Sequence, residues 1–340
     1  MGITIKDVAR KANTSVATVS RVMNNSTNVS PDLKKRVQKV INELNYQPNE
    51  VAKSLKKEKT NMVGVLISDI TNPFFSSIVK GIEDVLDKEN YTVILGNTAE
   101  SVDIEEKYIN KLINKQIDGF IISSTSDYGN HFSSIIDENI PLIFVNRRPE
   151  GYENNLILTD NFKGGYIATK HLIELGHKKI GAILGPQNLN TGIERKRGYE
   201  AALRDNNIEI KDKYIKIGDF KRQSGYNLSK ELVNNDDPPT SIFVSNNEMT
   251  LGVVEALNKL NINIPKELSL VGFDYSEWMR VVSPRITCVV QQAYQMGEEA
   301  AKRMLYLLKK VDKKNNNNEK YKKVLSPEFL NGNSTRYLGG

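Results

Sequence analysis

The feature of this sequence that most constrains its fold is a repeated alternation of short apolar runs with longer amphipathic segments. It begins near Met62 and continues to Phe273. The apolar runs are MVGVLIS, YTVILGN, IDGFIISS and PLIFVN in a first series, and KIGAILG, YIKIG, SIFVS and LSLVGF in a second. Short apolar runs of this kind are typical of buried strands, and the segments between them have helical periodicity. Strands that alternate with helices predict parallel sheets covered by helices on both faces.

Two such series predict an α/β core of two doubly wound parallel-sheet lobes. A helix near residues 293–310 should return the chain to the first lobe. The N-lobe is therefore expected at about 61–159 and 292–322, and the C-lobe at about 160–291 and 323–340. Ligands of such sheets bind outside the carboxyl ends of the strands, so we expect a ligand site in the cleft between the lobes.

The N-terminal residues 1–47 have a different, all-helical pattern. Apolar residues recur on one helical face in two adjacent short segments, at Ile5, Val8, Ala9 and Ala12 and then at Val16, Val19 and Val22. Asn13-Thr14-Ser15 lies between the segments, where Asn13 tolerates a left-handed conformation and Ser15 can cap the second helix. The pattern predicts a helix-turn-helix, although an ordinary helical hairpin would have the same spacing.

The charge distribution favours a nucleic-acid partner for this helical end. Residues 1–60 contain 12 Lys or Arg against 5 Asp or Glu, whereas the remaining residues sum to a net charge of −1. In a helix-turn-helix the second helix enters the DNA major groove, which would bring Val16, Ala17, Thr18 and Arg21 to the base edges. A solvated basic surface without a partner is the alternative interpretation of the charge alone.

The identities of the residues in the N-terminal stretch point to a protein family more specifically than their periodicity does. TIKDVARKANTSVATVSRVMN, continued by NVSPDLKKRVQKVINELNYQPNEVAKSL, closely resembles the DNA-binding headpiece of the LacI/GalR family of bacterial transcription regulators. The resemblance runs from Thr4 to Leu55, with Asn13 in place of the usual Gly. It implies that residues 48–60 form a hinge helix and linker, in which Leu55 wedges into the minor groove. The DNA-contacting residues that we expect are Thr4, Ser15, Val16, Ala17, Thr18, Ser20, Arg21, Asn24, Asn28, Asn49, Ala52 and Leu55.

Residues 62–337 resemble the periplasmic sugar-binding proteins and the matching effector domain of the same family. The motifs that carry the resemblance are DITNPFF, FVNRRP, TGIERKRGYEAAL, SNNEM, VGFD and TCVVQQ. Asn146 and Asn247 stand where many relatives have acidic residues. The implied ligand-binding residues are Asn72, Phe74, Phe75, Asn146, Arg147, Arg195, Asn246, Asp274 and Gln291. Some of them have plainer explanations, since Phe75 could belong to the core, Arg195 to a helix surface and Asp274 to a helix cap.

This set of side chains suits a neutral polyhydroxylated ligand, because it combines hydrogen-bond donors, acceptors and flat aromatic faces. We therefore expect a repressor that a small sugar releases, with a ribose-like pentose favoured. The alternative is a regulator whose effector strengthens DNA binding, such as a purine or a phosphorylated partner protein. In either case the predicted partner is a pseudo-palindromic operator DNA, bound by a homodimer.

Enzymatic function is not expected. The motifs GxSxG, GxxxxGK[ST] and GxGxxG are absent, and none of the three histidines lies in a nucleophile or metal-ligand pattern. Cys288 is the single cysteine, so it can form neither an internal disulfide nor a cysteine-based zinc cluster. We expect no metal or other cofactor. Because no signal peptide or membrane-length apolar run is evident, the protein is expected in the cytoplasm and not among transporter-binding proteins.

Overall fold

The computed structural model describes residues 3–23, 29–46, 59–311 and 320–338. The chain divides into two compact units, at residues 1–60 and 61–340. The break falls where the sequence changes from purely helical patterns to alternating strands and helices. Each unit can therefore be described by itself.

The first unit contains three helices, α1 (Ile5–Lys11), α2 (Val16–Met23) and α3 (Pro31–Glu43). Asn13 has a φ of 47°, the left-handed conformation that ends α1. The Ser15 hydroxyl then accepts a hydrogen bond from the backbone N–H of Thr18 at 3.1 Å, which satisfies a free donor at the start of α2. Both expectations for the turn are thus confirmed.

The three helices pack around a small aliphatic core. Its fully buried members include Val8, Val19 and Val37, one from each helix. The prediction that Val16 shares the buried face of Val19 is wrong, because the Val16 side chain is 40% exposed. Val16 occupies the first turn of α2, where the helix has not yet reached the core. It is therefore left on the outer surface.

The second unit contains two six-stranded sheets, as the alternating pattern predicts. The first sheet has the order β11-β5-β4-β3-β1-β2, and every pairing in it is parallel. Its strands are β1 (Met62–Ile67), β2 (Thr92–Asn97), β3 (Gly119–Ile122), β4 (Leu142–Val145), β5 (Leu156–Thr159) and β11 (Lys322–Leu325). Its helices are α4 (Pro73–Leu86), α5 (Val102–Ile113), α6 (Ser133–Asp137) and α12 (Ala293–Val311).

The second sheet has the order β12-β10-β9-β8-β6-β7, with β12 antiparallel to β10 and the other pairings parallel. Its strands are β6 (Ile180–Leu184), β7 (Ile215–Ile217), β8 (Ser241–Val244), β9 (Ser269–Phe273), β10 (Thr287–Val290) and β12 (Glu328–Leu330). Its helices are α7 (Asn161–Glu174), α8 (Asn190–Asp205), α9 (Arg222–Val233), α10 (Asn247–Lys259) and α11 (Trp278–Val281). Apolar clusters lie on both faces of each sheet, which confirms the doubly wound fold.

The chain passes between the lobes three times, after β5, β10 and β11. The first two crossings follow Thr159 and Val290, where these strands end. The third lies later than expected, because Lys322–Leu325 pairs in parallel with β5 of the N-lobe. Residues 323–325, expected in the C-lobe, therefore belong to the N-lobe sheet. Nothing in the sequence indicated this strand, since two lysines followed by two apolar residues, KKVL, are too short a pattern to distinguish from an exposed loop.

Candidate functional site

A single cavity between the lobes is lined by all nine residues of the predicted ligand set. It encloses about 520 Å³ of empty space, including its open mouth. The residues come from the segments that follow strands of both sheets, because the carboxyl ends of all these parallel strands face the same cleft. The lining consists of Asp69, Asn72, Phe74, Phe75, Glu100, Asn146, Arg147, Thr191, Arg195, Asp219, Phe220, Lys221, Asn246, Asp274 and Gln291.

Aromatic rings line part of this cavity. Phe74 and Phe75 lie in the first turn of α4 and contact each other edge to face, with ring centroids 5.2 Å apart. Both are buried and also belong to the core beside the N-lobe sheet, so the structural and ligand-binding interpretations are compatible. Phe220 adds a third ring from the loop after β7. Its φ of 65° is unusual for a bulky residue and orients the loop toward the cavity.

The position of Phe220 depends on a glycine at the end of β6. A Cβ atom added to Gly185 would lie 2.0 Å from Cζ of the Phe220 ring. Only a residue without a side chain leaves room for this ring. The sequence did not indicate Phe220, because a single phenylalanine after a three-residue edge strand has no recognisable motif.

Charged side chains form a buried cluster at the C-lobe side of the cavity. The Arg195 guanidinium donates from Nε to Oδ1 of Asn161 at 2.8 Å and from Nη1 to the backbone carbonyl of Ser245. Its Nη1 lies 3.6 Å from Oδ2 of Asp274. The other carboxylate oxygen of Asp274 accepts a hydrogen bond from Nε2 of Gln291 at 2.5 Å. Asp274 is therefore part of a network, and the interpretation of it as a simple helix cap does not describe its contacts.

Burial disfavours both charges of this cluster. It lowers the pKa of the Arg195 guanidinium to about 10, although the neighbouring Asp274 opposes the shift. It also raises the pKa of Asp274, against the opposing effects of Arg195 and Gln291. The two opposite charges lie 3.6 Å apart and are shielded from water. They should therefore form strong hydrogen bonds with any polar group that enters the cavity.

The predicted amides of Asn72 and Asn246 are used within the protein. Each caps a helix, since Oδ1 of Asn72 accepts from the N–H of Phe74 and Oδ1 of Asn246 accepts from the N–H of Met249, both at 3.0 Å. The Nδ2 group of Asn246 donates to the carbonyl of Phe220 at 2.8 Å. These two amides therefore shape the cavity and hold the Phe220 loop.

Several buried polar atoms of the cavity lining have no hydrogen-bond partner within the described ranges. They are Oδ1 of Asn146, Nε of Arg147, Oγ1 of Thr191 and Oε1 of Gln291. A buried polar atom without a partner costs free energy, so such atoms in one cavity indicate a place for a polar ligand or water. Thr191 lies in the first turn of α8 and was not predicted, because threonine at a helix start usually needs no function.

The predicted DNA-contacting residues that the structure describes lie in or just before α2, except Thr4. Ser15, Val16, Ala17 and Arg21 are exposed, and the hydroxyls of Ser15 and Thr18 lie 2.9 Å apart. Thr4 starts α1, where its hydroxyl donates to Oδ2 of Asp7. Ser20 is partly buried. The remaining predicted contacts, Asn24, Asn28, Asn49, Ala52 and Leu55, lie outside the described residues.

The cysteine and histidine side chains that an enzyme could use are buried or hydrogen-bonded within the fold. Cys288 is fully buried in β10, and burial raises the pKa of its thiol to about 12. His177 contacts the hydroxyls of Thr240 and Ser269, and His131 contacts Glu105. Among residues 3–23, 29–46, 59–311 and 320–338, no three His, Cys, Asp or Glu side chains are placed to hold a metal ion. Every described helix is too short or too polar to cross a membrane.

Comparison with protein families gives a match over both units. Residues 4–49 match the model of bacterial regulatory proteins of the lacI family. Residues 60–334 match the model of periplasmic binding proteins and the sugar-binding domain of the LacI family. Residues 50–59 lie between the two matches.

Among characterised relatives, catabolite control protein A of Priestia megaterium is 34% identical over 311 residues, which cover 91% of this chain and 94% of the relative. The HTH-type transcriptional repressor PurR of Proteus mirabilis is 34% identical over 305 residues, or 89% of each chain. Whole-length relatives thus include repressors.

Two solved structures are informative neighbours. The Lac repressor dimer bound to operator and the anti-inducer ONPF has a TM-score of 0.87 at 25% identity, and the match covers 99% of this chain and 100% of that chain. A LacI family regulator from Enterococcus faecium with bound ribose has a TM-score of 0.72 at 31% identity, covering 82% of this chain and 100% of that one.

Proposed function

This protein belongs to the LacI family of DNA-binding transcriptional repressors, and we propose that a small neutral sugar releases it from its operator. A ribose-like pentose is the favoured effector. The protein would act in the cytoplasm as a homodimer on a pseudo-palindromic site in front of sugar-utilisation genes. The observation that carries the proposal is the set of unpartnered polar atoms on Asn146, Arg147, Thr191 and Gln291 in one buried cavity.

The chemistry of these atoms suits hydroxyl groups. The carbonyl oxygens of Asn146 and Gln291 only accept hydrogen bonds, the N–H at Nε of Arg147 only donates, and the Thr191 hydroxyl does both. Sugar hydroxyls also donate and accept, so a single ring with several hydroxyls can satisfy the set. The rings of Phe74 and Phe220 offer flat apolar faces for the C–H face of a sugar.

The charge of the cavity favours a neutral ligand over a phosphorylated one. Its lining has three basic side chains, Arg147, Arg195 and Lys221, against four acidic ones. No surplus of positive charge is available there to balance a phosphate dianion. The E. faecium regulator that binds ribose is a relative of similar fold, which supports a pentose as the first candidate.

The effector would bind one arrangement of the lobes more tightly than another, and this difference would link effector binding to DNA binding. Effector bound at residues of both lobes stabilises one arrangement, and that arrangement changes the spacing of the two headpieces in the dimer. The solved Lac repressor dimer on operator is the model for the DNA-bound form. In this scheme Val16, Ala17, Thr18 and Arg21 read the bases.

The effector can be identified by a thermal-shift screen of the purified full-length protein with sugars and purines. We expect a shift with ribose or another neutral monosaccharide at millimolar concentration or below. Fluorescence anisotropy of a labelled operator should then increase on addition of the protein and decrease when that sugar is added. If no neutral sugar shifts the melting temperature, or if the sugar that does so strengthens DNA binding, the proposal is wrong.

A purine corepressor is the second candidate. It is favoured by the PurR relatives and by Phe220, whose ring gives the cavity more aromatic surface than the sequence indicated. A phosphorylated partner protein, which the family resemblance of the sequence implies as an alternative, is a further candidate of the corepressor kind. In the same two assays a purine corepressor would raise the melting temperature and increase operator affinity.

A further inference from the structure

The Arg147 side chain in the cavity is already engaged by a carboxylate of this chain. Its Nη1 lies 2.7 Å from Oε2 of Glu100, and its Nη2 lies 3.0 Å from Oε1. This is the bidentate geometry in which arginine binds carboxylates and phosphates most strongly. Nη1 also donates to the hydroxyl of Ser68 at 3.1 Å. The pair is well shielded, since the Arg147 side chain is 5% exposed and that of Glu100 28%.

The pairing determines what Arg147 can offer a ligand. Glu100 accepts one N–H from each terminal nitrogen and Ser68 accepts the second N–H of Nη1. The N–H groups that remain are the second one of Nη2 and the one at Nε, which is buried and has no partner in the described part of the chain. These two N–H groups suit the oxygens of neutral hydroxyls or carbonyls. An anion that binds the end-on fork of Nη1 and Nη2 would have to displace Glu100, which would then lose its buried counter-charge. An anion that approaches from the Nε side would meet a guanidinium whose positive charge is already balanced by Glu100.

The loop that carries Glu100 is built to hold it there. Ala99 and Glu100 have φ values of 51° and 59°, a left-handed conformation that non-glycine residues adopt at an energetic cost. The next residue, Ser101, caps α5 by accepting from the N–H of Ile104 at 3.4 Å. Two successive left-handed residues between β2 and a capped helix turn the chain so that the carboxylate reaches Arg147.

We propose that Glu100 is a specificity-determining residue, which occupies the guanidinium fork of Arg147 and thereby excludes phosphorylated and other anionic molecules from the cavity. This inference rests on the proposed function, in that the cavity takes a small polar effector. Selection for a neutral ligand then depends on the single carboxylate of Glu100. Without Glu100, the positive charge of Arg147 would be unopposed and would add to that of Arg195, whose guanidinium carbon lies near the same Phe220 ring, at 6.0 Å from its centroid against 5.5 Å for Arg147.

The test replaces the carboxylate by an amide of the same size. In Glu100→Gln, we expect inorganic phosphate and ribose 5-phosphate to raise the melting temperature and to bind at least tenfold more tightly than to the wild type. Calorimetry gives the affinities. The double variant Glu100→Gln/Arg147→Met should lose this gain, because the freed guanidinium is then absent.

A matched control separates the specific effect from a general loss of negative charge. Asp69→Asn removes a carboxylate that lines the same cavity but whose Oδ1 accepts from Thr71, at its N–H and its hydroxyl. It should increase phosphate affinity much less than Glu100→Gln. An equal increase in both variants would mean that Glu100 has no special role.

Two further outcomes would overturn the proposal. One is a folded Glu100→Gln protein with no gain in phosphate affinity. The other needs no variant, since a wild-type protein that binds ribose 5-phosphate as tightly as ribose has no such exclusion. Inorganic phosphate is measured without any sugar, so a failure of sugar binding would count against the proposed function and leave the phosphate comparison intact.

Discussion

Asn72 and Asn247 exchange two hydrogen bonds between their side-chain amides across the two lobes. Nδ2 of Asn72 donates to Oδ1 of Asn247 at 3.2 Å, and Nδ2 of Asn247 donates to Oδ1 of Asn72 at 2.9 Å. Both residues lie at the start of a helix, and Asn247 also donates to the hydroxyl of Ser276 at 3.1 Å. The pair is buried, so it holds the lobes together beside the cavity.

Removing this amide pair should lower the free energy of unfolding of the 61–340 unit. Asn247→Ala leaves the donor and an acceptor position of Asn72 buried without their partner, which costs roughly 1–3 kcal/mol for a buried polar group. Urea unfolding of the 61–340 unit within the full-length protein should show a loss of this size. Asn258→Ala, at an exposed position of the same helix, is the control and should change stability little. Equal stability of both variants would show that the pair contributes nothing.

Arg21 should account for specificity at one base pair of each operator half-site. It is an exposed donor in α2, and arginine bound through two nitrogens to guanine is the commonest specific contact in the major groove. Arg21→Ala should cost about 1–3 kcal/mol of operator affinity and relax the preference at that base. A selection from random operators measures both effects. Arg10→Ala, on α1, should leave the selected sequence unchanged, and equal weakening on all sequences by Arg21→Ala would contradict the assignment.

Because of His177, the free energy of unfolding of the core should fall in mild acid. Its ring is fully buried between the hydroxyls of Thr240 and Ser269, and burial lowers its pKa below the ordinary value. The unfolded chain therefore takes up a proton at a higher pH than the folded chain. The contribution of His177 is present above a pH of about 6.5 and is lost as the pH falls below it.

Unfolding free energies between about pH 5 and 7.5 test this dependence on the ordinary histidine pKa. The slope per proton is at most about 1.4 kcal/mol per pH unit, and His177→Gln should reduce the observed slope. His171→Gln is the comparison, because burial also lowers the pKa of His171 although its ring is only half-buried. A slope that is the same in the wild type and in His177→Gln would exclude His177 as its source.

Gly185 should control effector binding through Phe220. In Gly185→Ala the new Cβ would meet the Phe220 ring at 2.0 Å, so the ring and its loop must move out of the cavity. We expect weaker effector binding with little change in operator affinity in the absence of effector. Gly181→Ala, in the strand that Gly185 follows, is a matched control, because its nearest contact is 3.2 Å and involves Pro239 outside the cavity lining. Effector affinity that is unchanged in Gly185→Ala would show that the ring position is unimportant.

The sequence predicted the two lobes, and the residues that it selected as ligand-binding candidates line one cavity because they depend on the same topology. Asn72, Asn146 and Asp274 each follow a strand, and parallel strands bring such positions together whatever the details of packing. It could not predict Phe220 or Glu100, because their positions depend on left-handed loop residues whose side chains have no periodic pattern. The sequence also could not show that Asn72 is paired with Asn247, since that contact joins residues 175 positions apart.

The contribution of Asp274 to effector binding can be isolated by a change that keeps its backbone. Asp274 has a φ of 65°, a conformation that asparagine tolerates nearly as well. In Asp274→Asn the amide oxygen can still accept from Gln291, but the side of the carboxylate that lies 3.6 Å from Arg195 becomes a donor facing a donor. The variant therefore loses the charged acceptor that a sugar hydroxyl would share with Arg195.

We expect Asp274→Asn to bind the effector about 10- to 150-fold more weakly, the equivalent of roughly 1.5–3 kcal/mol for one charged hydrogen bond. Its operator affinity without effector should be unchanged, so in cells it should repress without being induced. Asp219→Asn, at an exposed carboxylate of the same cavity lining, should show a much smaller loss in the same calorimetric titration. Full effector affinity in Asp274→Asn would show that Asp274 does not contact the effector. A loss of operator binding as well would show that its contacts with Arg195 and Gln291 support the fold, and the assigned role would then be wrong.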